Sequence, residues 1–220
     1  MKAILQRYFP WAHEALMRQY AKRVPRSEVF SRIYRENGWD DPESRSGVGS
    51  RMDETRVVRS VLPGLLRELG VRTMLDAPCG DRNWIQHVEL GAIDYRGADI
   101  VPELIAENTR RFPQYRFQVL DLVTGPIPEV DLVLCRDCLV HLSLKDAARA
   151  LSNIAASGSR YLLSTTFAGL DAHTDIIIGW RRLDLQKPPF SLPAPLRMID
   201  EASSEQSDKR LGLWDLHALS

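Results

Sequence analysis

Short apolar runs alternate with amphipathic stretches through the middle of the chain. Strands are predicted at 71–77, 94–100, 115–121, 130–135 and 160–167, and the first of them is expected to be buried. Helices are predicted where apolar residues recur at intervals of three and four, at 55–69, 81–88, 102–111 and 143–156. Strands that alternate with helices are typical of parallel βαβ units, with helices on both faces of one sheet. We therefore expect a Rossmann-like, doubly wound α/β fold with a mostly parallel sheet.

The segments on either side of this alternation follow other patterns. Residues 1–35 mix aromatic residues and arginines at roughly helical spacing, which predicts an N-terminal helical extension. The stretch from Gly38 to Arg51 is rich in glycine and serine and is too polar for a core, so we expect a loop there. Beyond Gly169 the alternation ends, and a proline-rich segment precedes a last predicted strand at 210–216.

The charge balance excludes some classes of partner. Lys plus Arg and Asp plus Glu each total 29, so the formal net charge is zero, whereas nucleic-acid binding usually requires a basic excess. No apolar run approaches the roughly 18 residues needed to cross a bilayer, so we expect no membrane partner. The first residues lack the apolar run of a signal peptide, and a cytoplasmic location is expected by default.

Aspartates follow three successive predicted strands. Asp76 ends the first strand, Asp99 the second and Asp121 the third, and Gly80 lies in the turn after the first. Ligands of such sheets bind beyond the carboxyl ends of the strands. The spacing from Gly80 to Asp99 is typical of a carboxylate that accepts hydrogen bonds from ribose hydroxyls. The other interpretation is that these residues merely cap helices or end strands, but three in succession favour a nucleoside site.

The turn after the first strand does not suit a dinucleotide. A pyrophosphate needs the pattern G-x-G-x-x-G, whereas residues 78–83 read Pro-Cys-Gly-Asp-Arg-Asn. Asp81 would also repel a phosphate at the start of the following helix. The missing glycines therefore disfavour a nicotinamide-dependent oxidoreductase. A nucleoside with a sulfonium and an amino group suits carboxylates better, which favours S-adenosylmethionine.

Several segments of the chain carry a resemblance to a known family. MLDAPCGDRNW, YRGADIV, FQVLDL and DLVLCRDCLVHLS together resemble the ordered motifs of the class I S-adenosylmethionine-dependent methyltransferases, over roughly residues 70–167. ESRSGVGS, DAPCGD, CRDCLVHLS, GWRRLDL and PPFSLPAP are together similar to a branch of small bacterial methyltransferases that includes sugar O-methylating enzymes. The resemblance implies a seven-stranded sheet and S-adenosylmethionine as the cofactor. The donor-binding residues that it implies are Asp76, Gly80, Asp99, Ile100, Asp121, Leu122 and Arg136.

The family assigns a part of the donor to each of these strand ends. Asp76 and Gly80 would hold the methionine part, and Asp99 the ribose, with Ile100 against the adenine. Asp121 would contact the adenine amino group near the Leu122 amide, and Cys135 or Arg136 would face the donor amine.

The sequence departs from the family pattern at Pro78 and Arg82, where small residues are commoner. Arg51 or Arg45, from the upstream loop, would then supply the positive charge for the methionine carboxylate.

The candidate base lies just after the fourth predicted strand. Methyl transfer to a hydroxyl requires an aligned acceptor and removal of its proton. His141 opens onto the expected cleft, and an imidazole is partly neutral at working pH, so we predict that it is the general base. Asp137, four residues earlier, would orient the ring or hold a substrate hydroxyl. The other interpretation is that His141 packs at a helix start beside Ser143, a residue type that commonly caps helices.

The acceptor pocket is expected from segments outside the repeated core. Candidate substrate-binding residues are Glu43 and Arg45 in the glycine-serine loop, and Trp180 and Arg181 farther on. An aromatic ring beside polar side chains suits a small-molecule saccharide. Alternatively, Trp180 packs on the sheet and Arg181 pairs with a surface acid. The sequence leaves a homodimer open.

No metal ligand set is predicted. A divalent metal could acidify an acceptor hydroxyl, with Asp137, His141 and Asp175 as ligands, but hard cations usually need several clustered carboxylates. Cys135 and Cys138 form a C-x-x-C, which can indicate redox or metal chemistry. Because they end an apolar strand, we interpret them as buried thiols.

The sequence thus predicts one domain with three parts and favours one function. Residues 1–54 would form the N-terminal helices and a lid loop, 55–167 the cofactor-binding core, and 168–220 an acceptor-side loop and the C-terminal strands. O-methylation of a sugar or oligosaccharide is favoured. The alternatives are N-methylation of an amine or protein side chain, and a non-catalytic S-adenosylmethionine-binding module.

Overall fold

A seven-stranded sheet forms the centre of the computed structural model, which describes residues 19–20, 23–201 and 208–219. The strands are β1 (Thr73–Asp76), β2 (Asp94–Asp99), β3 (Arg116–Val119), β4 (Leu132–Cys135), β5 (Tyr161–Phe167), β6 (Arg197–Asp200) and β7 (Lys209–Asp215). Their order across the sheet is β3-β2-β1-β4-β5-β7-β6. The first five strands run parallel, whereas β7 runs antiparallel to both of its neighbours. The predicted α/β fold with a mostly parallel, seven-stranded sheet is confirmed.

Helices cover both faces of this sheet. They are α1 (Arg26–Arg35), α2 (Arg56–Glu68), α3 (Pro102–Arg111) and α4 (Leu144–Ala155). Successive residues of β4 point to opposite faces, so that Val133 joins the core beneath α4, whereas Leu132 and Leu134 join the core beneath α2. Because both faces of the strand are covered, every residue of β4 is buried. This double burial explains the continuous apolar run in the sequence.

The strand order reverses between β1 and β4, which are neighbours in the sheet. In open α/β sheets the crossovers on either side of such a point lead away to opposite faces. They leave a crevice beyond the carboxyl ends of the strands. Asp76 ends β1, and Arg136 directly follows β4. The fold therefore brings these two residues to the mouth of one crevice.

The helix predicted at 81–88 is wrong. Most of this stretch is turn, with a single 3₁₀ turn at Ile85–His87. Arg82 has a φ of 61°, which an α-helix of L-residues does not accommodate. The Asp81 carboxylate instead accepts hydrogen bonds from the Ser44 hydroxyl at 2.9 Å and the Arg45 amide at 2.8 Å. The upstream loop therefore determines the conformation of this segment.

The N-terminal helical extension predicted for residues 1–35 lies mostly outside the described residues, and α1 is the helix described within it. Within the ranges that the structure describes, no helix is long and apolar enough to span a bilayer.

Candidate functional site

An open cleft lies where the strand order reverses. Most of the residues predicted for the site line it, namely Arg45, Asp76, Gly80, Asp99, Ile100, Asp121, Leu122, Arg136, Asp137 and His141. They come from the ends of the first four strands and from the loop upstream of α2. The cleft therefore combines the carboxyl edge of the sheet with a segment that lies far away in the sequence.

Two buried carboxylates stand at the ends of adjacent strands. Asp76 accepts a hydrogen bond from the Tyr95 hydroxyl at 2.7 Å, and burial raises the pKa of Asp76 to about 7. Asp99 accepts from the amides of Val101 at 3.1 Å and Gly80 at 3.3 Å, and burial raises its pKa to about 6. Because neither has a cationic partner within ion-pair distance in the described part of the chain, both are suited to a ligand that brings hydrogen-bond donors or positive charge.

The third predicted aspartate is tied to the N-terminal helix. The Asp121 carboxylate accepts from the Arg26 guanidinium at 2.7 Å and from the Val123 amide at 2.9 Å. Arg26 also reaches Asp146 at 3.3 Å. Local sequence pattern does not indicate Arg26, because nothing in its neighbourhood shows that α1 folds back over the end of β3.

The glycine-serine loop lies directly against the turn that follows β1. Gly80 has a φ of 51°, and a Cβ placed there would lie 2.3 Å from the Ser46 hydroxyl oxygen. The Ser46 hydroxyl accepts from the Asp81 amide at 2.9 Å and donates to the Asp81 carboxylate at 3.2 Å. Only a residue without a Cβ allows this approach of loop and turn. The two segments therefore form one wall of the cleft.

Four charged side chains form a cluster behind the end of β4. Asp137 accepts from the Lys209 ammonium at 2.6 Å and lies 3.0 Å from the Arg136 guanidinium. Arg136 also donates to the buried carboxylate of Glu201 at 3.0 Å. Lys209 and Glu201 are almost completely buried, whereas Asp137 is partly exposed towards the cleft. Two cations therefore balance two carboxylates in a nearly dry environment.

This cluster fixes the ionisation of Asp137. Burial acts to raise the pKa of Asp137, but Lys209 and Arg136 outweigh it and lower the pKa to about 2. Asp137 is therefore an anion at neutral pH and a poor proton acceptor. Gly49 packs on it so closely that a Cβ would lie 2.6 Å from Asp137 Oδ2, and the Gly49 carbonyl accepts from Arg136 at 2.5 Å. The cluster thus also anchors the glycine-serine loop.

His141 lies in a short 3₁₀ turn, Leu139–His141, that follows β4. Its Nδ1 is 2.6 Å from the Gly179 carbonyl oxygen. Because a carbonyl only accepts, Nδ1 carries the proton of the neutral ring, and Nε2 keeps its lone pair. Burial lowers the pKa of His141 below its usual value, although the Gly179 hydrogen bond and Asp137 act in the opposite direction. The imidazole is thus neutral and ready to accept a proton at pH 7.

Aromatic residues that the sequence reasoning missed also line the cleft. Trp39 lies against His141 with ring centroids 4.6 Å apart, and Phe30 and Tyr34 reach the cleft from α1. A single tryptophan within an otherwise polar loop is the one signal that could have identified Trp39. The two residues of α1 give no such signal, because aromatic residues at helical spacing are ordinary in an amphipathic helix.

Arg51 and Glu43 do not line the cleft. Arg51 donates to the buried carboxylate of Asp41 at 2.6 Å. Glu43 accepts from the Met52 amide at 2.8 Å and from the Asn83 side chain at 2.7 Å. The structure therefore places both residues among the contacts that shape the glycine-serine loop.

Trp180 and Arg181 also lie outside the cleft lining. Trp180 is 44% exposed and meets the ring of Phe167 edge-on at 5.9 Å. The buried Arg181 guanidinium donates to the Leu142 carbonyl. These contacts match the structural alternative for Trp180, and they give Arg181 a backbone partner instead of a surface acid.

Metal ligands are not assembled in the described ranges. Among residues 19–20, 23–201 and 208–219, no three His, Cys, Asp or Glu side chains are grouped so as to hold a metal ion. Asp175 is exposed and accepts from the Leu144 amide at 2.7 Å. Cys135 and Cys138 are free thiols, the first buried and the second half-buried.

No family model matches this sequence, and no curated protein matches it significantly. The fold, however, is shared with solved structures. Magnesium protoporphyrin IX methyltransferase from Synechocystis PCC 6803, with bound SAM, is 15% identical, with a TM-score of 0.57 over 86% of this chain and 96% of that one. Human N-acetylserotonin methyltransferase in complex with SAM is 16% identical, with a TM-score of 0.58 over 97% of this chain and 69% of that one.

A third structure with this fold contains two bound small molecules. Burkholderia thailandensis 1,6-didemethyltoxoflavin-N1-methyltransferase, with bound 1,6-didemethyltoxoflavin and S-adenosylhomocysteine, is 16% identical. Its TM-score is 0.57 over 85% of this chain and 84% of that one. At these identities the likeness shows that the chain has the α/β fold of these methyltransferases.

Proposed function

We propose that the protein is an S-adenosylmethionine-dependent methyltransferase. The observation that carries the proposal is the pair of buried carboxylates, Asp76 and Asp99, beside Gly80 where the strand order reverses. Phosphates would be repelled by these carboxylates, whereas ribose hydroxyls and a cationic amino group would be bound. The three methyltransferase structures above, which share the fold and contain SAM or S-adenosylhomocysteine, support this choice.

The residues of the cleft suit successive parts of the donor. Asp99 would accept hydrogen bonds from the ribose hydroxyls, with Ile100 against the adenine. Asp121 and the Leu122 amide would lie near the adenine amino group. Arg136, whose Nη2 has no hydrogen-bond partner among the described residues, would face the amino-acid end. When bound, the donor supplies a methyl group activated by its sulfonium.

We further propose that the acceptor is a hydroxyl and that His141 is its general base. The ring is held through Nδ1 by the Gly179 carbonyl, which leaves Nε2 as the proton acceptor. As the acceptor oxygen forms its bond to the methyl carbon, the carbon–sulfur bond breaks and the hydroxyl proton passes to Nε2. Asp137 Oδ2 accepts a hydrogen bond from Lys209, and the carboxylate stays ionised. Its role would therefore be to orient the His141 ring or to hold a substrate hydroxyl, and not to take the proton.

A saccharide is the acceptor class that we favour. The Trp39 ring offers a flat apolar surface beside His141, and Arg45 and Ser50 add polar groups at the same wall. Such a combination suits a sugar, whose ring faces are apolar and whose hydroxyls need hydrogen bonds.

The proposed function is tested with purified protein, isotope-labelled S-adenosylmethionine and a panel of sugars, amines and phenols, with mass spectrometry as the readout. We expect the label on a saccharide hydroxyl. Label on an amine would support N-methylation instead. Binding of the donor without turnover across the panel would indicate a non-catalytic module, and no binding of S-adenosylhomocysteine would refute the proposal.

Asp99→Asn should weaken the binding of S-adenosylhomocysteine about 10- to 100-fold, because a hydrogen bond to a charged group contributes roughly 1.5–3 kcal/mol. Isothermal calorimetry at pH 7.5 measures the change. Asp94→Asn is the matched control, since Asp94 begins the strand that Asp99 ends. Equal affinities for the wild type and for Asp99→Asn would remove Asp99 from the site.

The glycine-serine loop, residues 38–51, should act as a lid. It contacts the turn at Gly80 and the cluster at Asp137, so a ligand beneath it should slow its local opening. We expect slower amide hydrogen exchange in residues 38–51 with S-adenosylhomocysteine, and little change in α2, which lies away from the cleft. Equal exchange of the loop in both states would contradict a lid.

A further inference from the structure

A buried guanidinium lies beneath the turn that follows β1. Arg82 is only 1% exposed, and its Cζ is 4.3 Å from the ring centroid of Tyr95, 4.5 Å from that of Tyr115 and 4.7 Å from that of Phe112. Among the described residues, its Nε and Nη1 have no hydrogen-bond partner. Burial of a cation is costly, and the faces of aromatic rings offset only part of this cost. Arg82 thus requires an explanation beyond packing.

Tyr95 connects this cation to the cleft. Its hydroxyl donates to Asp76 Oδ2 at 2.7 Å, while its ring lies against the Arg82 guanidinium. A cation over a phenol ring draws electron density from the ring, which makes the hydroxyl a better hydrogen-bond donor. Burial, together with Asp76, raises the pKa of Tyr95 far above its usual value, so the hydroxyl keeps its proton.

The charges around Asp76 act in opposite directions. Burial raises the pKa of Asp76 to about 7, and the hydrogen bond from Tyr95 and the charge of Arg82 oppose this rise. Of the other charged groups facing it, Asp99 raises the pKa and Arg136 lowers it. The nearby Cys79 thiol stays neutral, because burial raises its own pKa. Asp76 thus depends on Tyr95 and Arg82 for its negative charge near neutral pH.

We propose that Arg82 and Tyr95 are positioning residues that keep Asp76 ionised and in place to bind a cationic amino group. The pair therefore sets how strongly the site recognises the amino-acid part of its ligand relative to the nucleoside. This inference rests on the proposed function, since it takes S-adenosylmethionine as the ligand. It also accounts for Arg82, which occupies a position where a small residue is commoner in the methyltransferase family that the sequence resembles.

Two ligands separate this role from a merely structural one. S-Adenosylhomocysteine carries the amino group, whereas 5′-methylthioadenosine has the same nucleoside and no amino-acid part. Tyr95→Phe should lower the affinity for S-adenosylhomocysteine by up to about 10-fold at pH 7, because the loss of its hydrogen bond leaves a smaller fraction of Asp76 ionised. It should leave the affinity for 5′-methylthioadenosine unchanged. Arg82→Met should also lower the affinity for S-adenosylhomocysteine. Arg82→Lys, which keeps the positive charge, should lower it less than Arg82→Met does.

The pH dependence provides a second readout. In the wild type, the ratio of the two affinities should rise with pH through about 7, as Asp76 ionises. Asp99 would bind the ribose that both ligands share, so its ionisation changes the two affinities in the same direction. Tyr95→Phe should move the midpoint of this rise to higher pH, because it removes a hydrogen bond that favours the carboxylate. Calorimetry between about pH 5.5 and 7.5 stays below the titration of a free amino group, and in this window the shifted midpoint appears as a lower affinity ratio for Tyr95→Phe than for the wild type near pH 7.

The outcomes of this experiment are distinct. An unchanged affinity ratio and midpoint in Tyr95→Phe and Arg82→Met would overturn the inference while leaving the proposed function intact. An equal loss of affinity for both ligands in folded variants would assign Tyr95 and Arg82 a structural role, and this too would overturn the inference. A wild type that binds neither ligand would refute the proposed function itself. If Arg82→Met does not fold, Tyr95→Phe decides, because it removes only a hydroxyl.

Discussion

His141→Ala should lower the turnover of methyl transfer by about 10²- to 10⁴-fold, the usual contribution of a general base. The affinity for S-adenosylhomocysteine should stay close to that of the wild type, since His141 packs against Trp39 and is proposed to face the acceptor rather than the nucleoside. Single-turnover rates with the identified acceptor, together with calorimetry of the product, measure the two effects separately.

The wild-type rate should also depend on pH in a definite way. Because burial lowers the pKa of His141, the neutral imidazole prevails at pH 7, and the rate should fall only at lower pH, as the ring becomes protonated. His87→Ala, which changes an exposed histidine after β1, should leave turnover unchanged. A His141→Ala variant with wild-type turnover would mean that catalysis rests on alignment of the reactants alone.

Lys209→Met should destabilise the protein by about 3–5 kcal/mol at pH 7, the range for removing one partner of a buried ion pair. The change leaves Asp137 and Glu201 with Arg136 as the only cation of the cluster. Urea unfolding followed by circular dichroism gives the difference. Methionine fills a similar volume, so the loss reports the uncompensated charge more than a cavity.

A second substitution distinguishes charge from packing. Lys209→Met combined with Glu201→Gln restores the charge balance and should recover much of the lost stability. Burial raises the pKa of Glu201, so the deficit of Lys209→Met should shrink as the pH falls and this carboxylate becomes protonated. Arg197→Met, which breaks an exposed pair with Glu68, should leave the unfolding midpoint nearly unchanged. A Lys209→Met variant as stable as the wild type would show that the cluster contributes no net stability.

The centre of the sheet could be predicted from sequence because its strands are buried, whereas the edge strands β3 and β6 are largely exposed. Residues Leu132–Cys135 show this clearly, since this strand is covered by α2 and α4 and all four of its residues are apolar. Once the strands were located, Asp76 and Asp99 followed as strand-end residues. The lining of the cleft along the sheet edge was therefore accessible from local pattern alone.

Other parts of the site depend on contacts that local pattern does not contain. Arg26 meets Asp121 from 95 positions away, and Lys209 meets Asp137 from 72 positions away. The helix predicted after β1 failed for the same reason, because Asp81 binds the distant glycine-serine loop. Apolar periodicity predicts which face of an element is buried, but it does not predict which remote segment covers it.

The position of β7 has a consequence for the order in which the chain becomes native. This strand lies between β5 and β6 and brings Lys209 to Asp137, 72 residues earlier in the sequence. At about 5–20 residues per second, the ribosome adds Lys209 roughly 4–14 s after Asp137. During that interval Arg136 is the only cation of the cluster. Once Glu201 has been added, it and Asp137 share this one positive charge, and closing the sheet over them would bury an unbalanced anion. The cleft should therefore stay open and hydrated during synthesis and gain its final form only after β7 has left the exit tunnel.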